Sequence, residues 1–312
     1  MSKNAFIFPG QGSQYSGMGK ELADNFTVAR HLFQEADDAL GFKLSSLCFS
    51  GSEDELKLTA NTQPCILAVS IAALRVVQQE TGLTARYLAG HSLGEYSSLV
   101  CSGVFPFADA VRTVRARGTY MQDAVPVGTG SMAALFGIDR DQLEDICREA
   151  AQGQIISPAN FNSPGQTVIA GATAAIARAI EIAKSRGFRK SIVLPVSAPF
   201  HCALMQPAAD RLADKLEEVT LNNDMLAPFV ANVDAAPNLD IERIKPLLIA
   251  QVCAPVLWEQ SVTAMAELGV NRFIEIGPGK VLSGLVKRIN KEVITMNIED
   301  CAGLQALEKE AV

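Results

Sequence analysis

The sequence has little histidine, little tryptophan and no paired cysteine. Its 312 residues hold three histidines, one tryptophan and seven cysteines, and aromatic side chains make up only 6%. The cysteines are odd in number and form no C-x-x-C pair, which argues against a disulfide framework and against a structural zinc site. Reduced thiols in a cytoplasm are the expectation. No apolar run reaches the roughly 18 residues that a membrane span needs. Arg75 breaks the best candidate, residues 66–77. The apolar run before Pro9 is only four residues long, too short for a signal peptide. Excess positive charge is missing as well. The net charge is −7, so nothing supports a nucleic-acid partner. Internal repeats and low-complexity segments are also lacking.

What is present is a core-forming composition. The chain is 48% hydrophobic and 20% charged, long enough for one large domain or two moderate ones. Ala5 to Phe8 reads as a short strand stopped by Pro9-Gly10-Gln11-Gly12. Residues 63–80 read as a buried helix, 85–89 as a strand, and a helix follows from Gly94. Strand and helix alternate, which predicts an α/β fold with a mainly parallel sheet. Residues 128–197 have a different order. A strand (130–138), a helix (139–151), two strands, a helix (173–187) and a strand (188–197) give β-α-β-β-α-β, a ferredoxin-like unit. The expectation is a large domain of residues 1–127 and 198–312, α/β-hydrolase-like, with 128–197 inserted as a small domain.

The chemistry centres on Gly90-His91-Ser92-Leu93-Gly94. In a G-x-S-x-G turn between strand and helix, the glycines relieve crowding around a serine whose hydroxyl is pushed clear of the backbone. The N–H groups at the start of the next helix then face any oxyanion formed nearby. The alternative is a glycine-rich turn with a capping serine. A serine nucleophile needs a base. His31 lies in a polar helical stretch and is expected in solvent. His91 is adjacent to Ser92 on a tight turn, where neighbouring side chains diverge, so a structural role is expected. His201, in PVSAPFHCALM, remains as the base. Asp234 and Glu275 are the carboxylates placed near strand ends that could orient it. A main-chain carbonyl could do the same work. Arg112, Arg115 and Arg117 lie on one helical run, and spacing does not separate a solvated basic face from a substrate contact. The glycine-rich N-terminus fits neither nucleotide-binding fingerprint, since Tyr15 and Met18 stand where glycine and lysine are required.

Six segments together, FIFPGQGSQ, QPCILAVSIA, GHSLGEYSSL, NFNSPGQTVIAG, VSAPFHCALM and IEIGPGKVLSGL, resemble the malonyl-CoA:acyl carrier protein transacylases of type II fatty acid synthesis. The resemblance runs from residue 5 to about residue 300. It implies a malonyl ester on Ser92, His201 as the base, and an oxyanion hole from the backbone N–H groups of Gln11 and Leu93. It implies a carbonyl from the segment holding Gln251 as the orienter of His201, and Arg117 as the partner of the malonyl carboxylate. His91, Asn162 and Phe200 take supporting positions. Malonyl-CoA and acyl carrier protein are the implied partners, the second transient. Lys184, Arg186, Arg189, Lys190, Lys280, Lys287 and Arg288 are available to meet an acidic carrier. The resemblance implies no metal or redox cofactor; the expected state is a monomer that binds neither membrane nor nucleic acid. A serine hydrolase or thioesterase acting on acyl-CoA is the competing reading, and a non-catalytic scaffold for carrier protein is a third.

Overall fold

A computed structural model describes residues 3–196 and 198–311. Ten strands are found among them: β1 (Asn4–Phe8), β2 (Tyr87–Gly90), β3 (Gly130–Phe136), β4 (Ile156–Ser163), β5 (Gln166–Ala172), β6 (Ser191–Val193), β7 (Phe229–Val230), β8 (Pro237–Asn238), β9 (Arg272–Ile276) and β10 (Ile294–Ile298). Six build one sheet in the order β10-β9-β1-β2-β7-β8. It is parallel except for the β7–β8 pair. The other four build an antiparallel sheet in the order β4-β5-β3-β6, drawn wholly from residues 130–193. Its chain order β-α-β-β-α-β is that of a ferredoxin-like unit. The mixed α/β architecture expected from the sequence is therefore the one observed.

The parallel sheet positions the site. Phe8 pairs with Gly90, so β1 and β2 end side by side. The loops leaving them, Pro9–Gly12 and His91–Leu93, emerge at one edge, and β7 ends at the same edge before Asn232. Ligand crevices of open α/β sheets form outside these carboxyl ends.

The helix expected at 63–80 runs from Thr59 to Thr81. Pro64 lies inside it. Proline cannot donate to the carbonyl four residues back, that of Ala60. Arg115 Nη1 donates to that carbonyl instead, at 2.7 Å, so the lost bond is replaced and the helix continues. The helix is long and apolar enough to span a membrane. However, 89% of its most apolar window is packed inside the protein, as expected of a core helix apolar on all sides. The strand expected at 188–197 shrinks to Ser191–Val193. It is an edge strand pairing only with β3, and Pro195 has no N–H to extend the ladder. Ser197 lies outside the described residues.

Gly94 tests the packing at the sheet edge. A Cβ built there would overlap the carbonyl oxygen of Phe8, at the end of a buried central strand. Neither strand nor helix can give way cheaply. Gly94→Ala is expected to cost roughly 3 kcal/mol or more of folding stability. Chemical denaturation of the purified variant measures this directly.

Candidate active site

Ser92 sits in the turn between β2 and the helix Gly94–Cys101, with φ of 52°, in the left-handed region. A Cβ on Gly90 would overlap the main chain of Gly94, so the turn closes only with glycine there. His201 also has positive φ, at 60°. Two non-glycine residues strained at one site indicate a backbone held by its surroundings.

Folding brings these two residues together across 109 positions. Ser92 Oγ lies 2.8 Å from His201 Nε2. His201 Nδ1 lies 2.8 Å from the main-chain oxygen of Gln251. A carbonyl can only accept, so Nδ1 carries the proton and Nε2 is left bare toward the serine. The orienter is therefore the carbonyl, not one of the two carboxylates. Asp234 pairs with Arg243 at 2.8 Å, and Glu275 accepts from the N–H groups of Leu282 and Ser283 at the start of the helix Val281–Ile289. His201 is 3% exposed. Burial, helped by the charge of Arg117 and opposed by the bond to Gln251, pushes its pKa down to about 3.

Of the three arginines on the helix Phe107–Asp123, Arg112 is exposed and pairs with Asp109, and Arg115 serves the Ala60 carbonyl. Arg117 alone turns inward and is 1% exposed. Its Nη1 donates to Gln63 Oε1 at 2.8 Å. Its Nη2 donates to Gln251 Oε1 at 2.9 Å and to Ser92 Oγ at 3.1 Å. Its Cζ lies 5.6 Å from the centre of the Tyr96 ring. Its Nε is buried without an acceptor, and no carboxylate lies within ion-pair distance of it among the described residues.

A narrow pocket of about 100 Å³ joins these groups. Gln11, Ser92, Leu93, Arg117, Phe200 and His201 line it from the large sheet's side. Met132 and Asn160 close it from the small sheet. No described residue accepts a hydrogen bond from the backbone N–H of Gln11 or of Leu93, so both remain available at the pocket wall. His91 also lines the pocket but makes no hydrogen bond to Ser92 or His201 among the described residues. Its Nε2 lies 2.9 Å from Asn162 Oδ1 and its ring 5.7 Å from that of Trp258, a structural contact between the two sheets. His31 is exposed. No cluster of metal-binding side chains occurs among the described residues.

Sequence reasoning missed four residues of the site: Gln63, Glu95, Tyr96 and Asn232. Asn232 Oδ1 accepts from the Ser92 N–H at 2.7 Å, and its Nδ2 donates to Gly90 O at 2.7 Å, so it clasps the turn from β7. Only Glu95 left a signal, a lone charge in the apolar run GEYSSLV.

Residues 5–311 match the model of the acyl transferase domain. The chain belongs to the acyl transferase family. This acyltransferase is 50% identical over 289 residues to the malonyl CoA-acyl carrier protein transacylase of Escherichia coli (strain K12), covering 93% of each chain. The crystal structure of an acyl carrier protein S-malonyltransferase from Vibrio cholerae superposes on it with a TM-score of 0.95 at 47% identity, over 98% of this acyltransferase and 100% of that chain. A type II PKS acyl-carrier protein in complex with its malonyl-transacylase gives a TM-score of 0.95 at 47% identity, over 99% and 100%.

Proposed function

We propose that this acyltransferase moves a malonyl group from malonyl-CoA to the phosphopantetheine thiol of acyl carrier protein, through an ester on Ser92. The observation that carries the reading is Arg117, a buried guanidinium beside the serine–histidine pair, with a free N–H and no carboxylate within ion-pair distance among the described residues. An isolated buried cation is costly, and a substrate that brings its own carboxylate removes that cost. A guanidinium also grips a carboxylate through two parallel hydrogen bonds, a fork that lysine lacks.

The steps follow from the hydrogen bonds. Ser92 Oγ attacks the thioester carbonyl while its proton passes to His201 Nε2. The N–H groups of Gln11 and Leu93 receive the oxyanion. As the intermediate collapses, the C–S bond breaks and His201 returns the proton to the CoA sulfur. The carrier thiol then gives its proton to His201 and attacks the ester. The C–O bond breaks and Ser92 regains its hydrogen. Transfer wins over hydrolysis when the bound acyl group and the arriving carrier arm displace water from this pocket.

Residues 1–127 with 198–312 form the catalytic domain in this reading, and 128–197 the inserted domain facing it. Lys184, Arg186 and Lys280 are paired with Glu181, Glu149 and Glu299. Arg189, Lys190, Lys287 and Arg288 have no carboxylate partner among the described residues and are the cations assigned to the acidic carrier. The enzyme works as a cytoplasmic monomer without metal or cofactor.

Intact mass spectrometry tests the central claim. The protein incubated with malonyl-CoA should gain one malonyl group, and adding carrier protein should move that group to the carrier faster than water releases malonate. Release to water at an equal rate with and without carrier would favour the hydrolase reading.

The pH dependence follows from the buried base. His201 must be neutral to accept the serine proton, and burial holds its pKa far below the free value. The acylation rate should stay flat from pH 8 to pH 5, with no halving near 6.5 in single-turnover measurements. The same shift has a stability sign. The unfolded chain takes up this proton first as pH falls below about 6.5. The stabilising contribution is therefore complete above that pH and is lost as pH drops toward the folded value.

A further inference from the structure

The helix that follows Ser92 carries one charged side chain, Glu95, which is 0% exposed. It is not among the residues lining the pocket, and none of the proton transfers above uses it. A buried carboxyl group must be held by hydrogen bonds. Both of its bonds converge on one oxygen. Oε2 accepts from Gln251 Nε2 at 2.9 Å and from the Asn232 backbone N–H at 2.9 Å, while Oε1 is buried without a partner.

Those two donors belong to the residues that hold the site in place. Asn232 clasps Gly90 and Ser92. Gln251 holds His201 through its main-chain carbonyl and Arg117 through its side-chain oxygen. Its Nε2 also reaches the Ser92 carbonyl, at 3.1 Å. A side-chain amide can be turned end for end. Here one end faces an acceptor on Glu95 and the other a donor on Arg117. Turning it would set oxygen against oxygen and N–H against N–H, so Glu95 at one end and Arg117 at the other fix which way the amide points.

We propose that Glu95 is a positioning residue for the transfer reaction: it fixes the Gln251 side-chain amide and the Asn232 main chain, and through them aims the Arg117 guanidinium and steadies the turn that carries Ser92. The inference rests on the malonyl-transfer reading above. One oxygen takes both bonds, so a neutral acceptor is sufficient. Burial pushes the Glu95 pKa up to about 7, against the bonds from Asn232 and Gln251, and a proton on Oε1 leaves Oε2 free to accept. The carboxamide oxygen of glutamine can stand in for it.

Single-turnover acylation of Ser92 by malonyl-CoA and by acetyl-CoA, read by intact mass, tests the proposal in wild type, Glu95→Ala, Glu95→Asp and Glu95→Gln. Thermal unfolding identifies the folded variants. Glu95→Asp keeps the carboxyl but withdraws it by one methylene, which preserves the test where Glu95→Ala does not fold. The alanine and aspartate variants should lose on the order of 10²-fold in malonylation, the scale of a misplaced reacting group. Their malonyl-to-acetyl ratio should fall about tenfold, the worth of one hydrogen bond to a charged group. Glu95→Gln should stay within about tenfold of wild type in rate and keep the ratio. A wild-type ratio in folded Glu95→Ala or Glu95→Asp overturns the proposal whatever the rate does, because a structural defect alone would slow both acyl groups together. So does a glutamine variant as impaired as the alanine one. Wild-type enzyme that takes up no malonyl group brings down the transfer reading itself, and this inference with it.

Discussion

Ser92→Ala and His201→Ala are each expected to lower the turnover of malonyl-CoA by roughly four to six orders of magnitude. The two groups act as one unit. The hydroxyl 2.8 Å from Nε2 is a poor nucleophile until the imidazole takes its proton, and every later proton transfer of the imidazole serves the ester formed on that hydroxyl. The double variant should therefore be scarcely worse than either single one. Intact mass after exposure to malonyl-CoA should show no adduct on Ser92→Ala, and at most a slow one on His201→Ala. Both changes sit at strained positive-φ positions, so the melting temperatures should not fall in proportion to the activity. An adduct of normal size and rate on Ser92→Ala would place the acyl group elsewhere and end the proposed mechanism.

Arg117→Ala should separate malonyl from acetyl. Removing one member of a buried charged pair costs about 2–5 kcal/mol, or roughly 30- to 4,000-fold in acylation by malonyl-CoA. Acetyl-CoA brings no carboxylate, so its acylation should fall far less. The preference should therefore collapse or reverse in competition between the two thioesters. Arg117→Lys is expected to recover only part of the loss. Lysine keeps the charge but cannot hold Gln63, Gln251 and the incoming carboxylate at once in the planar fork that the guanidinium provides. Equal losses for malonyl and acetyl in Arg117→Ala would make the residue a support for the fold and remove it from substrate recognition.

The two predictions rest on different kinds of residue. Ser92 is held by its own turn, with glycines on both sides and Asn232 clasping from β7. Arg117 is held by groups from two other helices, Gln63 on Thr59–Thr81 and Gln251 on Ile244–Cys253. A defect in those helices should therefore reach selectivity before it reaches the nucleophile.

The sequence by itself determined the local features. The elbow at 90–94 follows from steric need, because a strand-to-helix turn that tight admits only glycine at positions 90 and 94. The α/β alternation and the β-α-β-β-α-β order of residues 130–193 follow from apolar periodicity and turn residues, which are local properties. Scarcity of histidine left three candidates, and His201 is the one that folding sets 2.8 Å from the Ser92 hydroxyl. Tertiary structure decided what no spacing encodes. It turned Arg117 inward and spent Arg115 on the carbonyl that Pro64 leaves unpaired. It set the Gln251 carbonyl, and neither Asp234 nor Glu275, against His201 Nδ1. It joined Glu95, Asn232 and Gln251 into one network. The physical reason is the same in each case. A buried polar group must find its partner wherever the folded chain places one, and that partner stands many residues away in sequence.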